Sequence, residues 1–145
     1  MSKILIINSG SATLKFKVFS SANLTEEISG LVERIGLKNS FLVIKKSANQ
    51  KLIKKYPLGF KNHNQALSEV KKVIKDILPD IKLVGHRVVH GGGVYNQPTK
   101  LNKNVIKQLA KYNKLAPLHN PINLACATSA LNLLPLAKHY AVFDT

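Results

Sequence analysis

The sequence contains little cysteine, few acidic residues and no long apolar run. A single cysteine among 145 residues excludes an internal disulfide and any metal centre built from several cysteines. No apolar run approaches the roughly 20 residues that a membrane-spanning helix needs, and the first residues lack the apolar segment and cleavage site of a secretory signal. We therefore expect a cytoplasmic protein. Cys126 lies in the apolar stretch NLACATSALNLL, where we expect it to pack in the core.

The scarcity of acidic residues leaves the chain strongly basic. Seven Asp and Glu stand against 22 Lys and Arg, a net charge of +15, and only two of the basic residues, Arg34 and Arg87, are arginines. Such a positive charge is typical of proteins that bind a nucleic acid, an anionic membrane or a small acidic substrate. The lysines are spread over polar positions along the whole chain, without an arginine-rich stripe or basic segments interleaved with aromatic residues. We therefore expect a solvated basic surface and neither a nucleic-acid nor a membrane partner.

The spacing of apolar residues predicts a single domain in which strands come first and helices alternate with strands later. This order indicates the α/β class with a mixed sheet and flanking helices. In the third helix, Asn120 is expected as N-cap and Pro121 as the first helical residue. The predicted elements are a hairpin over 3–20, strands within 26–36, 40–46 and 51–58, helices over 64–78, about 102–113 and from 120, and strands over 81–92 and 139–144.

The turn of the predicted hairpin, NSGSATLK over residues 8–15, is a candidate phosphate site. Gly10 and the small hydroxyl residues Ser11 and Thr13 let successive backbone N–H groups point into one concavity, and Lys15 adds a positive charge. The stretch is not a P-loop, because no second glycine precedes the lysine and a strand follows where a helix should stand. An ordinary hairpin turn is the alternative interpretation.

Arg87 is the second candidate, within GHRVVHGGG over residues 85–93. A guanidinium in an apolar run needs either a cleft or a carboxylate, because burying its charge alone is costly. With few acidic residues in the chain, an external carboxylate or phosphate is one partner that suits its planar fork. An internal ion pair beside a flexible turn is the other. Gly91, Gly92 and Gly93 permit close backbone approach and positive φ.

Two further side chains are predicted at the ends of elements. His119 precedes a helix N-terminus, where free N–H groups favour an anion and an imidazole could donate to a developing negative charge. Asp144 follows the last strand, a position suited to a general base or to a metal-water ligand. A loop histidine bonded to backbone and a solvated aspartate are the corresponding alternatives.

The strings NSGSATLKF, GHRVVHGG, LAPLHNP and AVFDT, in this order, resemble the successive motifs of the acetate and butyrate kinase family. The resemblance spans all 145 residues but covers well under half of that family's chain. It implies an actin-like fold, shared with sugar kinases and heat-shock chaperones, with residues 1–145 forming most of the N-terminal domain and the C-terminal domain absent. It also implies reversible phosphorylation of acetate by ATP, dependent on magnesium, giving acetyl phosphate and ADP.

The same resemblance implies a role for each candidate residue. Where the family usually has a run of serines in the hairpin, this chain has Ala12, which lacks a hydroxyl and weakens the expected contact there. The implied assignments are Asn8 for magnesium, Gly10, Ser11, Thr13 and Lys15 for ATP, Arg87 for the substrate, and His119 and Asp144 for catalysis.

Three alternatives stay open at this stage. The chain is expected to be inactive alone if it is truncated or split, and a homodimer or a separate chain would then complete the site. It could also be a degenerate remnant that serves as a basic binding protein without catalysis. Propionate or butyrate could replace acetate as the substrate, because the pocket's apolar wall is only partly present.

Overall fold

The computed structural model describes residues 1–46, 51–56 and 59–145. In these residues one eight-stranded sheet is flanked by three α-helices. The strands are β1 (Lys3–Ser9), β2 (Leu14–Ser20), β3 (Glu26–Glu33), β4 (Phe41–Lys46), β5 (Lys51–Tyr56), β6 (Ile81–Val88), β7 (Thr99–Lys100) and β8 (Lys138–Phe143), and the helices are α1 (His63–Val73), α2 (Lys103–Ala110) and α3 (Asn120–Leu133).

The sheet is mixed, as the sequence predicts. Its strand order is β5-β4-β3-β2-β1-β6-β8-β7. Strands β1 to β5 form an antiparallel meander, whereas β6 runs parallel to β1 and β8 runs parallel to β6. Parallel neighbours need long crossovers, which α1 and the α2–α3 segment supply. The carboxyl ends of β1, β6 and β8 consequently lie at the same edge of the sheet.

One face of the sheet carries the core. Alternate residues of β1 and β2, such as Leu5, Ile7 and Phe16, are almost fully buried against α1 and α3. On the opposite face Ile6 is 39% exposed and Val142 is 50% exposed, because the helices of the described residues contact the first face. This one-sided packing leaves the opposite face, with its side chains at the sheet edge, open to solvent.

The lone cysteine packs in the core, as expected. Cys126 is 1% exposed among apolar neighbours on α3, and burial raises the pKa of its thiol to about 12. The thiol therefore stays protonated and unreactive at neutral pH. None of the described helices has the length and hydropathy to cross a membrane.

The first helix ends earlier than its apolar spacing predicts. The spacing predicts a helix to Leu78, but α1 ends at Val73 and the chain continues in tighter turns, in which the N–H of Ile77 donates to the carbonyl of Ile74 at 3.0 Å. Residues 74, 77 and 78 still pack against the core, which is why the helical spacing persists beyond the helix. Pro79 lies in a short 3₁₀ turn.

The other two helices differ from expectation at their ends. Helix α2 starts after Asn102, whose side chain accepts from the N–H of Val105, and ends at Ala110, about three residues before the predicted end near residue 113. In α3 the N-cap is His119, so the expected cap is wrong by one residue and Pro121 is the second helical residue. The side chain of Asn120 instead turns inward to the backbone of the β6 loop.

Candidate active site

Three of the predicted site residues meet where the parallel strands end. Asn8 is the penultimate residue of β1, Arg87 the penultimate residue of β6, and Asp144 follows β8 directly. The registers Ile7↔His86 and Arg87↔Val142 put all three side chains on the open face of the sheet. In open α/β sheets this edge is where ligands bind.

The Arg87 guanidinium holds the cluster together. Its Nη2 donates to Oδ2 of Asp144 at 2.6 Å, and its Nε donates to Oδ1 and Oδ2 at 3.1 and 3.0 Å. Its Nη1 donates to Oδ1 of Asn8 at 3.3 Å. Hydrogen bonding to Asp144 raises the pKa of Arg87. Of the two interpretations left open by the sequence, the internal ion pair is the one observed.

The ion pair is nevertheless accessible. The side chain of Arg87 is 50% exposed and that of Asp144 is 38% exposed, so solvent reaches both charges. A surface pair of this kind contributes only about 0–1 kcal/mol to stability. The arrangement therefore orients a guanidinium on an open face and adds little to the stability of the fold.

The hairpin turn presents free backbone donors. The N–H of Gly10 donates to the carbonyl of Thr13 at 2.9 Å, and the carbonyl of Ala12 accepts from Ile35 at 2.9 Å. Within the described ranges, the N–H groups of Ser11, Ala12 and Thr13 have no acceptor. Exposed and unpaired amides in a tight turn are the donors from which anion-binding nests are built.

Lys15 stands beside this cluster. It pairs in register with Asn8 across the antiparallel β1–β2 ladder, which puts both side chains on the open face. The ammonium is exposed and makes no hydrogen bond with the part of the chain that the structure describes. Its placement agrees with the prediction, while its role in ATP binding stays a prediction.

His119 reaches the same edge of the sheet through the start of α3. Its side chain is exposed and makes no capping hydrogen bond to the helix. The first turn of α3 is tied to the ends of β1 and β6 through Asn120 and Asn123, and no hydrogen bond joins the His119 imidazole to the Arg87 pair within the described residues. The start of α3 therefore lies at this edge of the sheet, and the catalytic role of His119 stays a prediction.

Two buried asparagines make these ties, one of them expected as an N-cap and the other without an expected role. Asn120 accepts from the N–H of His90 at 2.9 Å and donates to the carbonyl of His90 at 2.7 Å. Asn123 accepts from the N–H of Val89 at 3.2 Å and donates to the carbonyl and hydroxyl of Ser9 at 3.0 and 3.2 Å. Asparagine in the first turn of an apolar helix is the signal that could have revealed them, because buried carboxamides need partners.

The glycines after β6 behave as expected. Gly92 and Gly93 have φ of +71° and +76°, a region that favours glycine. A Cβ on Gly91 would lie 1.9 Å from the carbonyl oxygen of Tyr95, so the backbones approach too closely for any side chain. These three residues let the chain turn sharply away beside Arg87.

A buried pair of imidazoles lies on the opposite side of β6. Nε2–H of His86 donates to Nδ1 of His139 at 3.0 Å, and Nε2–H of His139 donates to the carbonyl of Leu134 at 2.8 Å. Burial and the neighbouring imidazole lower the pKa of His86 to about 3, and burial also lowers the pKa of His139. Both rings are therefore neutral in the folded chain at neutral pH.

The burial of these two neutral histidines predicts that the folded chain loses stability in acid. In the unfolded chain both histidines regain a pKa of about 6.5, so the folded state binds fewer protons below that pH. Stability is fully present above pH 6.5 and falls as the pH drops below it, by up to about 1.4 kcal/mol per pH unit from His86, whose contribution is lost down to about pH 3, and in the same direction from His139. Urea unfolding at pH 7, 6.5, 6 and 5.5 measures the slope. His86→Leu should make it shallower, and an unchanged slope would contradict this origin.

The oxygen donors at the cluster suit a magnesium ion that arrives with phosphate groups. Among the described residues no group of three or more His, Cys, Asp and Glu side chains could hold a metal. Asn8 supplies one amide oxygen and Asp144 two carboxylate oxygens, and all three accept from Arg87. Magnesium keeps several waters and binds through one or two protein oxygens plus substrate phosphates, a requirement that this set can meet.

The chain is similar in sequence to proteins of one known family. A profile of the Acetokinase family matches residues 3–145. The acetate kinase of Macrococcus caseolyticus (strain JCSC5402) is 43% identical over 151 residues, covering 100% of this chain and 37% of that protein. The chain therefore spans little more than a third of the length of the curated relatives it matches.

Solved structures agree with the sequence comparison. The crystal structure of Porphyromonas gingivalis acetate kinase matches with a TM-score of 0.90 at 32% identity, covering 100% of this chain and 38% of that chain. A propionate kinase from Francisella tularensis subsp. tularensis SCHU S4 matches with a TM-score of 0.90 at 29% identity, covering 99% and 37%. These findings confirm the predicted α/β fold of the actin-like class, and the chain belongs to the acetokinase family.

Proposed function

We propose that this chain supplies one wall of a site that phosphorylates acetate with ATP, giving acetyl phosphate and ADP in a reversible reaction. The observation that carries the proposal is the meeting of Asn8, Arg87 and Asp144 on an open sheet edge beside a hairpin with free amides. Family membership supports the reaction type. A cytoplasmic location, expected from the sequence, fits an ATP-dependent enzyme.

Phosphoryl transfer demands positioning and charge neutralisation more than covalent chemistry from the protein. In the proposed reaction an acetate oxygen forms a bond to the γ-phosphorus as the bond from that phosphorus to the ADP oxygen breaks. Arg87 holds the carboxylate through its fork, and Lys15 and the hairpin amides hold the phosphates. His119 donates to the transferring group. Asn8 and Asp144 would hold a magnesium ion, which would supply neutralisation of the phosphate charge.

We also propose that residues 1–145 correspond to most of the N-terminal domain of the relatives and need a second polypeptide wall. The relatives are nearly three times as long as the matched region, which supports this idea. Polypeptide that corresponds to the rest of the relatives' length would supply that wall. We therefore expect the 145-residue chain alone to form no acetyl phosphate.

An acetyl phosphate assay tests the proposal. The purified chain is incubated with ATP, magnesium and acetate, first alone and then with candidate chains that carry the remainder of the family's sequence. Activity is expected only in the mixture, and Arg87→Ala and Asp144→Ala should each lower kcat/KM by about tenfold or more. A kcat/KM in the mixture that neither substitution changes would reject the proposed site.

A second substrate deserves the same assay because one of the matching structures is a propionate kinase. Propionate differs from acetate by one methylene, which a pocket discriminates by only about 1–3 kcal/mol. Comparing kcat/KM for the two acids in the active mixture decides between them. Butyrate, left open by the sequence, is the third acid in the series.

A further inference from the structure

His63, the first residue of α1, contacts the hairpin turn from 50 residues away in the chain. Its Nε2–H donates to the carbonyl of Gly10 at 2.8 Å and to the carbonyl of Thr13 at 3.1 Å. A carbonyl only accepts, so Nε2 carries the proton in this arrangement. The ring is half-buried between the helix and the turn. The sequence analysis assigned no role to this histidine.

The two hydrogen bonds fix the orientation of the peptide groups in the turn. All described peptide bonds are trans, and in a planar trans peptide the carbonyl of one residue points opposite to the N–H of the next. Because the carbonyl of Gly10 faces His63, the N–H of Ser11 points away from it. Ile35 acts similarly, since its N–H donates to the carbonyl of Ala12 and thereby turns the N–H of Thr13 outward.

We infer that His63 is a positioning residue for phosphate binding by the hairpin, an inference that rests on the proposed function. Its ring holds the turn so that the Ser11 amide is already aimed outward before a nucleotide phosphate arrives. Without the His63 ring, Ile35 still fixes the peptide between Ala12 and Thr13, but the peptide between Gly10 and Ser11 becomes free to rotate. Binding must then order that peptide, and affinity falls.

The test follows the amide signals of Ser11 and Thr13 by NMR while the 145-residue chain is titrated with magnesium-ATP. His63→Phe keeps a ring of similar size and removes the donor. We expect it to weaken binding about three- to tenfold, the effect of one lost hydrogen bond, and to reduce the shift of Ser11 more than that of Thr13. His63→Gln, which retains an N–H donor, should restore part of both. Asn64→Ala, on the same turn of α1, is the matched control.

The outcomes separate this inference from the proposed function. If the Ser11 and Thr13 signals of the wild-type chain do not move with magnesium-ATP, the hairpin is not a phosphate site, and the inference about His63 is overturned as well. Wild-type signals that move, together with equal movement and affinity in His63→Phe, would overturn the role of His63 alone. A loss of folding stability without a change in the Ser11 signal would also overturn it, because it would mark a purely structural contact.

A measurement on the wild-type chain needs no variant. Two-bond ¹⁵N–¹H correlations report which ring nitrogen of a neutral histidine carries the proton. We expect His63 to be protonated at Nε2, since only that nitrogen faces the two carbonyls. A neutral ring protonated at Nδ1 would overturn the inference, because Nε2 could then donate to neither carbonyl.

Discussion

Arg87→Ala should weaken the binding of acetyl phosphate to this chain by about tenfold to a few hundredfold. Hydrogen bonds to a charged partner contribute about 1.5–3 kcal/mol, and Arg87 is the residue whose fork is oriented on the open face by Asn8 and Asp144. The substitution also leaves the Asp144 carboxylate without its partner, so a negative charge remains where an anionic ligand must bind. NMR titration with acetyl phosphate measures the change.

Stability measurements separate this effect from unfolding. The pair is half-exposed and contributes about 0–1 kcal/mol to folding, so Arg87→Ala should unfold at nearly the same urea concentration as the wild type. Arg87→Lys should give intermediate binding, because lysine keeps the charge and lacks the fork. Lys82→Ala removes an exposed positive charge from the same strand and serves as the matched control. Unchanged acetyl phosphate affinity in Arg87→Ala would remove Arg87 from the site.

The position of the Arg87 pair could be predicted in part from the sequence. Both partners follow from simple patterns, since apolar runs predict the strands and each polar residue stands at the end of one. The contact between Arg87 and Asp144 depends on the order β1-β6-β8, which is a property of the whole sheet. The sequence patterns therefore pointed to both residues and left their contact with each other open.

The errors at helix ends have a common physical cause. The Asn120 side chain suits an N-cap, yet its oxygen and its NH₂ group both bond the backbone N–H and carbonyl of His90. His119 is therefore the N-cap residue. Local preference was overridden by a contact 30 residues away along the chain. The roles of His63 and of Asn123 could not be predicted for the same reason, because their partners come from distant turns and strands.

The buried carboxamide of Asn123 joins the ends of the two strands that carry the site. Its 3% exposed side chain bonds Ser9, next to Asn8, and Val89, two residues beyond Arg87. One helix residue thereby sets the separation of two site residues. Folding and site geometry are coupled here, since the strand ends cannot shift without breaking these hydrogen bonds.

Asn123→Leu should lower the free energy of unfolding by about 2–6 kcal/mol. Leucine has a similar size but cannot bond, so the carbonyl of Ser9 and the N–H of Val89 lose their partner, at about 1–3 kcal/mol for each buried group left unsatisfied. Urea unfolding followed by circular dichroism measures the loss. Asn132→Leu, exposed on the same helix, should stay within about 0.5 kcal/mol of the wild type.

Asn123→Asp distinguishes the two halves of this connection. A carboxylate still accepts from the N–H of Val89 but cannot donate to the carbonyl of Ser9, so the tie to β6 survives while the tie to the backbone of β1 is lost. If the connection sets the site, the NMR signals around Asn8 should change in Asn123→Asp more than those around Val89.

A loss of stability below about 1 kcal/mol in Asn123→Leu would instead mean that water replaces the carboxamide, and that the strand ends hold their spacing without it.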